Sequence, residues 1–252
     1  MQSKMSVVNH LSDLRKRIIY VLLAFVVMLI AGLVFVTRLY GYLVSPLTQA
    51  GYQLMVISPG EVITVYLSIA SIIAVGLTLP FALYQIWKFV APGLTPIERR
   101  YTLRLLPIAF IMFVVGVCFA WFIIFPTILH FLLVIANQNF RVMYRAGAYF
   151  GFVINICLPF GFIFELPIVV TFLTRIGILT PRLLRKFRRF AYLLIVILGV
   201  LISPPELVSH LSVVLPMIAL YELSILLSAI VKRRRDAKIA DSDEPTGRTD
   251  HE

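Results

Sequence analysis

Charge is what this chain has least of. Only 14% of its residues are charged, where a soluble domain carries roughly a quarter. Acids are scarcer than bases, 12 Asp and Glu against 23 Lys and Arg. The two cysteines, Cys118 and Cys157, each fall inside an apolar run. That excludes a disulfide framework and any zinc spacing, and both are expected to be buried structural thiols. His210 has no second His or Cys at ligand spacing, so neither a metal nor another cofactor is expected. No Ser-His-Asp arrangement, phosphate loop or HExxH occurs, which argues against an enzyme. Without a nucleotide motif, any energy has to come from partners or from an ion gradient. No internal repeat of the inverted-transporter kind is present. No small-residue cleavage site follows the first apolar run, which is expected to be a retained span rather than a removed signal peptide.

What the chain has is apolar length. Hydrophobic residues make up 60% of 252, and the mean hydropathy is +0.96. That is more apolar surface than one globular core hides, so lipid is the expected solvent. A spanning helix needs about 20 apolar residues. Runs of this kind cover 18–36, 62–83, 105–125, 150–174 and 207–231, and a shorter one covers 190–202. The short run gives only about 20 Å of helix, so the bilayer is expected to thin or neighbouring helices to tilt there. Six spans put both termini on one side. All but three of the 23 Lys and Arg fall on that side, the exceptions being Arg38, Arg141 and Arg145. By the positive-inside rule both termini are cytoplasmic. The net charge of +11 therefore reads as a topology signal rather than as a nucleic-acid surface. The expected fold is an all-α integral membrane protein of six transmembrane helices. Its fifth and sixth helices are short, and a concave groove is lined by an intramembrane Glu. Residues 1–235 form one domain and 236–252 a disordered tail. Segments 37–61 and 127–149 are long for turns and suit short interfacial helices on the outer face.

The most information-rich connection is Tyr84–Arg100, YQIWKFVAPGLTPIERR, between the second and third spans. It sets one acid, Glu98, among bases and aromatics including Trp87 and Phe89. Asp13 brings a second carboxylate to the same side. Two carboxylates facing one site suit guanidinium groups, which bond carboxylates as a bidentate fork. Within the fourth span Glu165 stands in FGFIFELP. An ionisable residue there is costly and needs a reason: a groove anchor for another helix, or a protonated Glu bonded within the bundle. Pro167 frees a backbone carbonyl and can kink the helix beside it. Glu222, in the sixth span, is read as a structural pairing residue. His210 reads as an interfacial hydrogen-bonder, and Glu206, in the Pro-Pro-Glu hairpin, as a solvated turn acid facing outside.

Five segments in order, HLSDLRKR, LPFALYQIWKFVAPGLTPIERR, FGFIFELP, GILTP and SPPE, resemble the TatC family of the twin-arginine protein translocase. The resemblance runs from about Asn9 to about Val231. Two positions depart from the family pattern: Asp13 stands where Glu is usual, and Glu206 where many members have Asp. The resemblance implies a receptor and pore-complex core in the bacterial cell membrane. Such a protein binds twin-arginine signal peptides at its cytoplasmic face. It recruits TatA/TatB-type single-span partners and other copies of itself, and passes folded cargo on the proton-motive force. It implies a signal-peptide site of Asp13, Arg15, Phe89 and Glu98, and partner-helix docking at Glu165, Ser203, Glu206 and His210. Pro46 matches a position important in the family. Membrane lipid is the other expected contact, and nucleic acid is not. The competing reading is an ion-coupled small-molecule transporter with Glu165 and Glu222 as a proton relay.

Overall fold

The computed structural model describes residues 2–139, 143–203 and 206–242, with side chains described for 12–96, 99–136, 143–203 and 206–236. Helix α1 (Gln2–Gln49) is 48 residues long, about 72 Å, more than twice a bilayer core. Its residues Val26, Ile30 and Val34, four apart, are all exposed, as befits a stripe that faces lipid. Past this stripe the helix does not stop. Pro46 removes the N–H that would bond the Tyr42 carbonyl, and Ser45 Oγ donates to that carbonyl instead, at 2.7 Å. Leu43, Val44 and Leu47 bury one side of this last stretch. So much of segment 37–61 is a continuation of the first span, not a separate short helix.

Helix α2 (Pro59–Val90) starts behind Ser58 with proline at its first turn, a position where the missing N–H costs nothing. It ends in a 3₁₀ turn, Ala91–Gly93, on the basic face of the bundle. Helix α3 (Pro96–Phe119) returns across the membrane. It runs through a π-helical segment, Ala120–Ile124, into α4 (Phe125–Asn139), and the Phe125 N–H bonds the Ala120 carbonyl. Where an interfacial helix is expected within 127–149, residues 127–139 are instead a prolongation of the third span. Polar residues such as Tyr42, Thr48 and Thr127 let a helix leave the hydrocarbon without breaking, which hydropathy alone does not register. Two short parallel strands, β1 (Leu54–Met55) and β2 (Tyr144–Arg145), tie these segments together at the end opposite the basic face.

The fourth span is two helices, α5 (Ala146–Ile163) and α6 (Leu166–Arg175), separated by Phe164 and Glu165. Gly177, at φ 84°, turns the chain toward α7 (Pro181–Lys186), where Thr180 Oγ1 caps the Leu183 N–H. Helix α8 (Arg188–Ile202) is the fifth span, only 15 residues long. Helix α9 (Leu207–Ser242) has 36 residues, so shortness belongs to the fifth helix alone. The basic run from Lys232 to Arg235 consists of good helix formers and carries the helix on. The rest of the tail expected over 236–252, and Pro204–Pro205 of the hairpin, lie outside the described residues, as does Arg141.

Helix α1 packs along α2, α3 against α5, and α6 and α8 along α9. The α3–α5 approach is close because Gly116 has no side chain. A Cβ there would stand 2.7 Å from the Phe160 carbonyl oxygen. The core concentrates toward the end opposite the basic face, where Leu47, Ile69, Phe125, Ile128, Phe150 and Val153 are essentially inaccessible. Cys157 is buried in it as expected, whereas Cys118 is exposed. Cys118 is one residue from Val117, which meets α5, and lies on a side of α3 that no helix fully covers.

Candidate functional site

From the basic end into the span, α1 and α2 leave a largely apolar groove of about 550 Å³ between them. Leu14, Arg17 and Phe25 form one wall, and Thr78, Gln85 and Phe89 the other; Phe162 of the FGFIFELP segment also lines it. Asp13 and Arg15 are exposed on α1 immediately beside Leu14. The groove therefore sets Leu14 of α1 and Phe89 of the α2–α3 connection on facing walls, while Asp13 and Arg15 flank Leu14 without lining the groove. Arg17 Nε and Thr78 Oγ1 are buried there and find no hydrogen-bond partner among the described residues. Glu98 is in the first turn of α3, where the helix dipole favours an acid. Its side chain lies outside the described residues.

Glu165 is 8% exposed and sits where the fourth span breaks. Its backbone does two jobs. Its N–H bonds the Phe162 carbonyl at 3.1 Å, and its carbonyl receives Val169 N at 2.9 Å. Pro167 explains the break, since it offers no N–H to continue the ladder. The side chain is not satisfied in the same way: Oε1 is buried without a partner among the described residues.

At the other end of the bundle the α8–α9 hairpin gathers three candidates. Ser203 Oγ donates to the Gly199 carbonyl at 2.9 Å and lies 3.3 Å from His210 Nδ1. The His210 N–H bonds the Glu206 carbonyl at 2.9 Å. Gly199 lets α9 come close, since a Cβ there would meet Val214 at 2.5 Å. Glu206 is half-buried rather than solvated, and its Oε2, like Ser209 Oγ, is buried with no partner among the described residues. The reason is that Glu206 immediately precedes α9 and is drawn into the hairpin instead of standing off it. Glu165 and this hairpin are separate places in the fold. Glu222 is the pairing residue expected of it: it accepts from Arg188 Nη2 and Tyr192 OH, each at 2.5 Å, joining α9 to α8.

One carboxylate went unremarked in the sequence. Glu61, 5% exposed, accepts from Ile57 N at 3.0 Å, Arg145 Nε at 2.8 Å and Gly147 N at 2.8 Å. It clasps the start of α2 to the start of α5. Tyr149 OH donates to the Leu43 carbonyl at 2.7 Å, and Trp121 Nε1 to Tyr42 OH at 3.2 Å. Pro46 stands inside this clasp, between Leu43 and Leu47. The available signal was a lone acid after Ser-Pro on a face almost without bases, where Arg145 was one of few partners on offer.

Comparison with known proteins matches residues 9–216 to the family model described as Sec-independent protein translocase protein (TatC). The chain is 42% identical to the Sec-independent protein translocase protein TatCd of Bacillus subtilis (strain 168), over 90% of this chain and 93% of that one. It is 39% identical to the TatC protein of Halalkalibacterium halodurans, over 91% of each. Among solved structures it is similar to one described as the crystal structure of the twin-arginine translocase receptor TatC. That match has a TM-score of 0.81 and 29% identity, and covers 89% of this chain and 100% of that one. None of these likenesses supports the small-molecule transporter reading.

Proposed function

Because the chain belongs to the TatC family of Sec-independent protein translocase proteins, we propose that its basic face receives twin-arginine signal peptides. In this reading that face and both termini are cytoplasmic, in a bacterial cell membrane. The observation that carries it is the groove between α1 and α2. Its walls join the α1 turn beside Asp13 and Arg15 to Phe89, at the head of the connection that contains Glu98. Two carboxylates offer the planar, bidentate acceptance that a pair of guanidinium groups requires. Each desolvated charge-assisted bond contributes on the order of 1.5–3 kcal/mol, and solvent-exposed pairs contribute far less. Phe89 supplies an apolar surface beside them.

The second half of the reading concerns assembly. The unpartnered carboxylate oxygens of Glu165 and Glu206, with Ser203 and His210, are polar groups inside or at the edge of lipid. A hydrogen-bonding residue on a single-span partner helix of the TatA/TatB type would satisfy them. Pro46 holds the outer end of α1 in the shape the clasp needs. Transport of folded cargo then draws on the proton-motive force rather than on a nucleotide, and other copies of the chain complete the complex.

The test is binding in detergent of a twin-arginine signal peptide and its Lys-Lys variant, with wild type and Glu98→Gln. The wild type is expected to prefer the twin-arginine peptide. Glu98→Gln is expected to lose that preference and to abolish export of twin-arginine cargo at unchanged protein level. Equal binding of both peptides by the wild type, or unaltered export by the variant, overturns the assignment.

A further inference from the structure

The turn between α2 and α3 carries a second recess, distinct from the α1–α2 groove, with a volume of about 460 Å³. Its polar members are Trp87, Arg99 and Arg100, and its apolar wall includes Pro92, Leu94 and Leu103. The Arg99 guanidinium lies over the Trp87 ring, 5.6 Å from the centroid. A guanidinium stacked in this way keeps its in-plane N–H donors free. Neither Arg99 nor Arg100 has an acidic partner among the described residues, whose ion pairs are Arg145–Glu61 and Arg188–Glu222. Trp87 is 9% exposed, and its indole N–H is buried without a partner among the described residues. Arg99 stands in the first turn of α3 and Arg100 directly after it, at the end of a helix that favours anions. The polar side chains that line the recess are all donors.

We propose that this recess binds the phosphodiester headgroup of an anionic phospholipid. The shared chemistry is a phosphate, which two guanidinium groups grip as forks. The lipid, rather than free phosphate, is the occupant because of the wall and the location. The recess lies where two spanning helices leave the membrane on the basic side, the level of the headgroups, and basic pockets between such helices are suited to them. Free phosphate would leave Pro92, Leu94 and Leu103 uncovered, whereas the glycerol and upper acyl carbons of a lipid cover them. This inference does not depend on which peptide the neighbouring groove receives. It gives the loop two opposite tasks one residue apart, an acid toward a cationic cargo and two bases toward the membrane surface.

The experiment is native mass spectrometry of the purified full chain in micelles containing equal dioleoyl phosphatidylglycerol and dioleoyl phosphatidylcholine. The wild type is expected to retain phosphatidylglycerol over phosphatidylcholine by about tenfold. The double variant R99Q/R100Q is expected to lose that preference, while R233Q/R234Q on α9 keeps it. Trp87→Phe keeps a ring and removes the N–H, and is expected to reduce the preference about threefold. It serves as the readout should the double variant lose its unfolding transition. Undiminished preference in R99Q/R100Q, or in Trp87→Phe where only that variant folds, overturns the proposal. So does displacement of the bound lipid by inorganic phosphate at about the concentration of a phosphate buffer, which would make the recess a site for the free anion.

Discussion

Glu61 and Glu165 are both nearly inaccessible, at 5% and 8% exposure, and they are opposites. Glu61 holds three donors, two of them backbone N–H groups and the third the guanidinium of Arg145. Glu165 has a buried oxygen with no donor among the described residues. The difference lies in what the backbone supplies. Around Glu61, the turn at Ile57 and the first turn of α5 present free N–H groups, since helix starts leave theirs unspent. Around Glu165 the chain breaks too, but Glu165 uses its own backbone groups to bridge the break, and Pro167 contributes no donor. A saturated carboxylate fastens elements together. An unsaturated one in the same kind of burial is a cost the monomer carries, which a partner can remove.

This comparison is open to direct attack. The largest effect on stability is expected from Glu61→Ala, which strands the Gly147 and Ile57 N–H groups and frees Arg145. Its unfolding midpoint in detergent should fall by on the order of 5 °C or more. An unchanged midpoint would show that the clasp is decoration. Next comes Tyr149→Phe, which removes the hydroxyl that ties α5 to the Leu43 carbonyl and should cost about 1 kcal/mol, read as a smaller shift of the same midpoint. A shift as large as that of Glu61→Ala would mean the two halves of the clasp act as one unit. The smallest effect is expected from Glu165→Ala. It removes an unsatisfied oxygen but leaves a small cavity, two opposed effects, so the midpoint should move by less than it does for Tyr149→Phe. The same variant should weaken in-membrane cross-linking to a partner helix while leaving signal-peptide binding intact. Loss of peptide binding would refute the division between the basic-face groove and the intramembrane acid.

Residues that report on composition were easy to read. The apolar runs gave the spans, and Glu165-Leu166-Pro167 announced the break in the fourth one by placing an acid and a proline together. Glu222 was readable as a pairing residue, since an acid at that depth needs a cation. What escaped was anything decided at long range. Glu61 and Arg145 are 84 residues apart, and nothing local to either names the other. The reach of α1 to Gln49 was hidden because the apolar run ends near Val36, while the backbone carries on past Pro46, where Ser45 bonds the carbonyl that proline leaves open. Hydropathy also ended the third span near Phe125, although the backbone continues through a π-helical segment that re-aims Trp121 toward Tyr42. Those misses have one cause. A helix is bounded by capping and packing, whereas an apolar run is bounded only by solvent.

The 15 residues of α8 amount to about 22 Å of helix, against about 30 Å for an ordinary hydrocarbon core. Electrically, a bilayer is a capacitor whose plates follow the lipid surface. Where lipid is drawn in to match α8, the same voltage falls over a shorter path, and the local field rises by about a third. A charge crossing beside lipid thinned in this way meets a steeper gradient than one crossing a bilayer of ordinary thickness.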